Sequence, residues 1–179
     1  MPCLAKATIG VMGSGSEEHN ALATELGTLL ARLEVNLLTG AGGGVMTSVS
    51  RAFCDANPAK GISIGIVPCA ENNRAAMKPG SPNKWVQLPI VTHLPYSGRQ
   101  GTDDLSRNHI NVLSCAAIVA LPGDEGTESE ARLAVQYKKP IVAFSPNPLL
   151  VARFPDTVRR VSTITEVEEF LRTLLGNAA

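Results

Sequence analysis

The stretch "AAIVALPGDEGTESEARLA", residues 116–134, indicates the fold class because it joins an apolar run to a helical pattern through a glycine turn. The apolar part, 116–123, has the composition of a strand buried on both faces, as in a parallel sheet covered by helices. The helical pattern continues over 127–139. Residues 121–130 hold two glycines and four acidic side chains, and so much negative charge argues against a simple phosphate-binding turn.

Similar apolar runs recur along the chain and alternate with helical patterns. We predict strands at 7–12, 35–40, 62–68, 116–123 and 140–145. We predict helices at 44–57, 104–114 and 127–139, a leucine-rich helix that begins at Ser16–Glu18, and a last helix with a Thr165–Glu168 capping box that ends at Gly176. This alternation predicts a doubly wound, Rossmann-like α/β fold, with a mostly parallel sheet and helices on both faces, in a single domain spanning 1–179.

Composition narrows the classes of function. Sixteen basic and sixteen acidic residues cancel, and no Lys/Arg block stands out, so we expect neither a nucleic-acid nor a membrane partner. The apolar runs fall short of the roughly 18 residues of a membrane span, and the N-terminus lacks a secretion-signal pattern. Four scattered cysteines are typical of small buried thiols in a reducing compartment. We therefore expect a cytoplasmic protein.

One segment, residues 69–104, interrupts the alternation. It contains four prolines, three glycines, the single tryptophan and one plausible short strand at 85–91. An irregular segment of this length is uncommon in a compact domain unless it is functional or disordered. Trp85 and Tyr96 favour order, so we expect this excursion to cover a ligand or to contact a second subunit, with a passive insertion as the alternative.

Three glycine-containing turns follow predicted strands, at 13–18, 39–46 and 121–130. Ligands of an open parallel sheet bind beyond the carboxyl ends of its strands, where helix N-termini point. Four glycines at 40, 42, 43 and 44 exceed what a tight turn needs, so we predict anion binding there. Glu18 and Val45 occupy positions where a G-x-G-x-x-G dinucleotide motif requires glycine. We also expect no metal site, because no cluster of metal-ligating residues is evident.

The acidic turn has two interpretations. Thr127 and Glu130 have the spacing of a capping box, which would explain both residues without any function. Alternatively, Glu130 is a carboxylate at the site that stabilises the positive charge developing on a sugar ring during glycosidic cleavage. Arg107 is the candidate partner cation, which we expect to be accessible to solvent and able to bind a phosphate or a leaving base. We expect His109 to be structural.

The segments "TGAGGGVM" (39–46), "SRN" (106–108) and "LPGDEGTESE" (121–130) resemble the LOG family, once labelled possible lysine decarboxylases. The family hallmark is P-G-G-x-G-T-x-x-E, preceded by an arginine-containing helix. The resemblance implies a Rossmann-like homodimer or higher homo-oligomer that hydrolyses nucleoside 5′-monophosphates to free base and ribose 5-phosphate. It places Arg107 and Glu130 in catalytic roles. It gives ligand- or phosphate-binding roles to Gly42, Gly43, Gly44, Val45, Met46, Gly123, Gly126 and Thr127. From their places in the glycine-containing turns, we predict the same role for Gly13, Ser14 and Pro122.

Two departures point to a sister branch of this superfamily. Asp124 replaces the second glycine of P-G-G, and Asn108 stands where the hydrolases have lysine. The Arg107–Asn108 pair is more similar to the branch that includes molybdenum-cofactor carrier proteins. The resemblance therefore implies a small nucleotide-like ligand and no required cofactor, with molybdopterin or a nucleotide as the bound molecule. A phosphoribohydrolase, a non-catalytic carrier and a ligand sensor all remain open.

Overall fold

The computed structural model describes residues 6–56 and 61–176. Within these residues it contains nine strands and five α-helices. In chain order they are β1 (Thr8–Met12), α1 (Asn20–Arg32), β2 (Asn36–Thr39), α2 (Val45–Ala56), β3 (Ser63–Val67), β4 (Cys69–Ala70), β5 (Asn73–Met77), β6 (Leu88–Val91), α3 (Asn108–Leu113), β7 (Ala117–Ala120), α4 (Glu125–Gln136), β8 (Ile141–Phe144), β9 (Arg159–Val161) and α5 (Ile164–Gly176).

Seven of the strands form a parallel sheet in the order β6-β3-β2-β1-β7-β8-β9. The chain winds outward from β1 in one direction through β2 and β3, and then in the other through β7 and β8. This topology confirms the predicted doubly wound, Rossmann-like fold. It also places a switch point between β1 and β7, where the order of the strands reverses and ligands of such folds bind.

The sheet is buried on both faces because its strands are apolar at successive positions, whose side chains point to opposite sides. Val119 joins the cluster under α1, α2 and α5, whereas its neighbour Ile118 joins the cluster under α3 and α4. Both side chains are fully buried. The apolar runs of the sequence therefore fixed the layers of the molecule without a period-2 alternation.

Several predicted helix starts are wrong, and local hydrogen bonds explain each one. The leucine-rich helix α1 begins at Asn20 and not at Ser16–Glu18. The Ser14 hydroxyl accepts hydrogen bonds from the backbone amides of Ser16 and Glu17, and these bonds hold the two residues in a turn. Helix α3 begins at Asn108 and not at residue 104, since residues 103–106 form a turn closed by a 2.8 Å bond from the Ser106 amide to the Asp103 carbonyl.

The last helix also begins elsewhere than predicted. Its capping box is formed by Thr163 and Glu166, whose carboxylate accepts the Thr163 amide at 3.0 Å, and not by Thr165 and Glu168. Glu168 instead pairs with Arg172 one turn later, at 2.8 Å. The helix continues to Gly176, the last of the described residues, so the predicted helix end at this glycine stays a prediction.

The excursion at 69–104 is ordered. It begins with an antiparallel hairpin of β4 and β5 that the sequence did not predict, and it continues into β6, which confirms the short strand within 85–91. Strand β6 pairs with β3 and forms one edge of the main sheet. Strand β9, which is short and contains two arginines, is the other element that the apolar pattern missed.

Two further sequence expectations concern membranes and cysteines. None of the helices in the described residues combines the length and the apolar character that a bilayer crossing requires. Cys69 and Cys115 are buried and Cys54 is half-buried, in agreement with the expected small buried thiols, whereas Cys3 lies outside the described residues.

Candidate functional site

A cavity of about 380 Å³ opens at the carboxyl ends of β1, β2 and β7. The three glycine turns of the sequence meet there, and the excursion adds the remaining wall. Eight of the thirteen residues predicted for the site line this cavity: Gly13, Gly42, Gly43, Met46, Arg107, Gly126, Thr127 and Glu130. The structure therefore brings together residues that are up to 117 positions apart in the chain.

The other five predicted residues, Ser14, Gly44, Val45, Pro122 and Gly123, lie behind the lining and join the turns to one another. The Ser14 amide donates to the Pro122 carbonyl at 3.1 Å, and the Ser14 carbonyl accepts the Val45 amide at 2.9 Å. Gly123 packs directly against the Thr127 side chain, and a Cβ there would collide with it. These contacts fix the first turn against both other turns.

Two glycines of the second turn have clear structural reasons. Gly44 adopts a left-handed conformation, with φ +57°, and packs against the backbone of the first turn. Gly40 leaves room for the Arg107 guanidinium, which lies directly on it where any Cβ would stand. Close packing therefore accounts for these two glycines, while anion binding by this turn stays a prediction.

Arg107 is buried, with 8% of its surface exposed, so the expectation of a solvent-accessible arginine is wrong. Its Nη1 donates to the Ile66 carbonyl at 2.9 Å, at the end of β3. Its Nε has no hydrogen-bond partner among the described residues. Burial lowers the pKa of Arg107, and Glu130 opposes this shift. Because arginine starts from a very high pKa, it remains a cation at neutral pH.

Glu130 is equally buried, and its Oε1 accepts a 2.7 Å hydrogen bond from the side-chain amide of Asn111. Burial raises the pKa of Glu130, against the opposing effects of Arg107 and Asn111. Yet Arg107 and Glu130 form no ion pair within 4.0 Å, as judged over residues 6–56 and 61–176. The cavity thus has a cation and a carboxylate in its wall that interact at a distance.

The capping-box interpretation of Thr127 and Glu130 is wrong. Helix α4 begins at Glu125, with Asp124 at the N-cap, so Thr127 is already inside the first turn and is buried. The Asp124 side chain lines the cavity, and the Ser14 hydroxyl lies 3.5 Å from its carboxylate. Glu125 points elsewhere and pairs with Arg99 at 3.1 Å.

The sequence interpretation missed the cavity residues that the excursion supplies. Lys78 and Ser81 come from the segment after β5, and Ser97 and Gly98 come from the turn that precedes α3. Proline and glycine punctuation at 79–82 and 95–98 was the available signal, but it indicates turns without saying what they face. Asn108 also lines the cavity, and its amide donates to the Ser129 hydroxyl at 2.9 Å.

His109 does not line the cavity. His109 contacts the Tyr137 hydroxyl at 2.7 Å and the Asp103 carbonyl at 3.0 Å, as a structural histidine does. Over the described parts of the chain, no group of three or more His, Cys, Asp or Glu side chains is arranged to hold a metal ion.

The sheet order defines the chain as a Rossmann-like protein, and the cavity lies at the switch point, where ligands of such folds bind. The chain belongs to the SLOG cluster4 family, whose model matches residues 6–171. This membership confirms the LOG-like resemblance. No curated protein sequence matches the chain.

Solved structures of similar proteins cover nearly the whole chain. The molybdenum cofactor binding protein of Rippkaea orientalis is 29% identical, with 97% of this chain and 99% of that chain covered and a TM-score of 0.74. The molybdenum cofactor carrier protein of Chlamydomonas reinhardtii is 28% identical, with 96% and 99% covered and a TM-score of 0.70. DNA processing protein A of Helicobacter pylori, at 18% identity, 97% and 82% coverage and a TM-score of 0.67, shares the fold alone.

Proposed function

We propose that this protein binds a small phosphate-bearing nucleotide or pterin-nucleotide-like molecule in the cavity at the switch point. The observation that carries this proposal is the Arg107 guanidinium, which is buried in the cavity wall with its Nε unpartnered among the described residues. A buried guanidinium with incomplete hydrogen bonding is costly, by about 1–3 kcal/mol for an unsatisfied donor, and an anionic group in the cavity would offset this cost by charge pairing with the guanidinium. The cavity volume of about 380 Å³ suits a ligand of this size.

The relatives favour a carrier among the binding functions. The two structures at 28% and 29% identity are a molybdenum cofactor carrier protein and a molybdenum cofactor binding protein. Molybdopterin has a ring system with hydrogen-bond donors and a phosphate. The Glu130 carboxylate can accept hydrogen bonds from the ring, and the Arg107 guanidinium can bind the phosphate. On this basis the first ligand to test is molybdopterin, and nucleoside 5′-monophosphates follow.

A second candidate function, phosphoribohydrolysis, is favoured by Glu130. Its carboxylate is buried in the cavity wall, and its oxygen is fixed by the Asn111 amide. A carboxylate in such a place stabilises an oxocarbenium-like sugar or activates a water for attack on it. Arg107 would orient the phosphate of the substrate in this reaction.

The test separates binding from turnover. Purified protein and the Glu130→Gln variant are incubated with molybdopterin and with a panel of nucleoside 5′-monophosphates; binding is measured by calorimetry and products by chromatography. Free base with ribose 5-phosphate from the wild type alone would establish the hydrolase. Binding by both proteins without products would favour a non-catalytic binding protein, such as a carrier, over the hydrolase. The absence of binding to every phosphate-bearing ligand would contradict the proposal.

We also propose that the chain is one domain and that it forms a homodimer in the cytoplasm, as the LOG-like resemblance implies. We further propose a small ligand in preference to nucleic acid, because the balanced charge offers no broad basic surface. Light scattering after size-exclusion chromatography measures the mass, and a mass near that of the 18.8 kDa chain would contradict the dimer.

A further inference from the structure

The two helix N-termini at the cavity, those of α2 and α4, differ in charge. Helix α4 carries Asp124 at its N-cap and Glu125 and Glu128 in its first turn, so its positive dipole end is neutralised by its own side chains. Helix α2 has no acidic residue in its first turn.

Two cations lie on the α2 side of the cavity. The Arg107 guanidinium packs on Gly40, directly before the glycines that lead into α2. Lys78 lines the cavity from the segment that follows β5. Asn83 of the same segment donates to the Ala41 carbonyl at 2.9 Å and to the Gly42 carbonyl at 3.0 Å, and these bonds hold the segment against the second glycine turn. The Arg107 guanidinium, bonded to Ile66, and the segment of Lys78, whose amide donates to the Pro68 carbonyl, therefore lie toward the end of β3, on the side of the helix without acidic residues in its first turn.

The α4 side has a different lining. Asp124 and Glu130 supply carboxylates there, and the excursion contributes the turn at Gly98, which packs against Gly126. Arg99 holds this turn to α4 through Glu125, and its ion pair lies outside the cavity. Carboxylates accept hydrogen bonds and repel phosphate, so this side suits ring N–H, amino or hydroxyl groups of a ligand.

We propose that the ligand's anionic group binds on the α2 side, between Lys78 and Arg107, and that Asp124 and Glu130 accept hydrogen bonds from its donor-rich end. This orientation is opposite to the one implied by the LOG-like resemblance, in which Gly123, Gly126 and Thr127 lie next to the phosphate. The inference rests on the proposed function, because it concerns a phosphate-bearing ligand of the same cavity.

The lining also limits the charge of the ligand. Among the described residues, the charged side chains in the wall are two cations, Lys78 and Arg107, and two carboxylates, Asp124 and Glu130. A single phosphate is balanced by the two cations on its own side, whereas a di- or triphosphate would extend toward the carboxylates. The ligand class is therefore a monophosphate whose other end presents hydrogen-bond donors.

The experiment uses two probes, 5′-GMP and inorganic phosphate, with dissociation constants from calorimetry. GMP has a phosphate at one end and an N–H and amino edge at the other. The test variants are Lys78→Ala and Asp124→Asn, both of exposed residues. The matched controls are Arg74→Ala, an exposed cation of β5, and Glu169→Gln, an exposed carboxylate of α5, neither of which lines the cavity.

The proposed orientation gives one pattern of results. Lys78→Ala weakens the binding of both GMP and phosphate by about tenfold, as expected for a charge-assisted contact. Asp124→Asn weakens GMP several-fold and leaves phosphate unchanged, because it contacts the donor edge only. Both control variants bind the probes as the wild type does.

Other patterns would overturn the inference. Tighter binding of both probes to Asp124→Asn, together with no effect of Lys78→Ala, would place the phosphate on the α4 turn and leave the proposed function standing. A wild type that binds neither GMP nor phosphate nor molybdopterin would overturn the proposed function itself.

Discussion

At the scale of single residues, the site combines a buried arginine and a buried glutamate that do not touch. Each is bound to a neutral partner, Arg107 to the Ile66 carbonyl and Glu130 to the Asn111 amide. Taking charges out of water is costly, and at this separation mutual attraction offsets only part of the cost. The unfavourable desolvation is a feature of functional sites, where a ligand supplies the missing contacts.

Arg107→Ala should destabilise the protein by about 2–4 kcal/mol, because it leaves a void on Gly40 and removes the cation that faces Glu130. Urea unfolding of the wild type and the variant measures the loss. Arg99→Ala is the matched control, since Arg99 forms an exposed ion pair with Glu125 and should change stability by less than about 1 kcal/mol. Equal effects of the two substitutions would show that burial of Arg107 contributes nothing.

Glu130→Gln should change how stability depends on pH. The pKa of Glu130 is raised in the folded protein above its ordinary value of 4.5, so ionisation disfavours the folded state. As the pH rises above about 4.5, the free energy of unfolding of the wild type therefore falls relative to that of the variant. This fall ends once the pH exceeds the raised pKa of Glu130, and the stability difference between the two proteins is constant at higher pH.

Urea midpoints of both proteins between pH 4 and pH 8 check this sign. Glu125→Gln, on the exposed side of the same helix, controls for the exchange of a carboxylate for an amide. A stability difference between wild type and Glu130→Gln that is the same at every pH would contradict the prediction.

At the scale of elements, helix starts are set by hydrogen bonds that sequence spacing alone leaves ambiguous. Thr163–Glu166 and Thr165–Glu168 both match the capping-box pattern, and only the first is used. The deciding factor is β9, which ends at Val161 and places the cap directly after it. The choice between two equal patterns therefore depended on a strand that the apolar pattern did not reveal.

Thr163→Ala should lower stability by about 1 kcal/mol, because it removes the hydroxyl that caps α5. For a chain of this length the melting temperature should fall by about 2–4 °C. Thr165→Ala is the matched control, two residues along the same helix, and should change stability by no more than about 0.5 kcal/mol. Differential scanning calorimetry distinguishes them, and a larger loss from Thr165→Ala would contradict the observed cap.

At the scale of the whole molecule, the excursion is part of the main structure. Strand β6 extends the sheet beyond β3, and Asn83 bonds to the second glycine turn. The Cys54 thiol of α2 also donates to the Trp85 carbonyl at 3.4 Å. These contacts connect residues 83–91 of the excursion to the sheet, to α2 and to the second glycine turn, so we expect the excursion to unfold together with the core.

Thermal unfolding followed by tryptophan fluorescence and by far-UV circular dichroism should give coincident transitions. Trp85 is the single tryptophan, so its fluorescence reports on the excursion, while circular dichroism reports on the helices and the sheet. A fluorescence transition that precedes the loss of secondary structure would show that the excursion opens independently and would contradict a single cooperative domain.

The layers of the fold could be predicted from the sequence, because apolar runs buried on both faces of a parallel sheet are a local property that residues such as Ile118 and Val119 carry in their own side chains. It also indicated the three turns that meet at the cavity, since the carboxyl ends of parallel strands lie at one edge. The burial of Arg107 and the position of Lys78 in the cavity wall could not be predicted in this way. Both depend on contacts between distant segments, through Gly40 and Asn83, which no local pattern encodes.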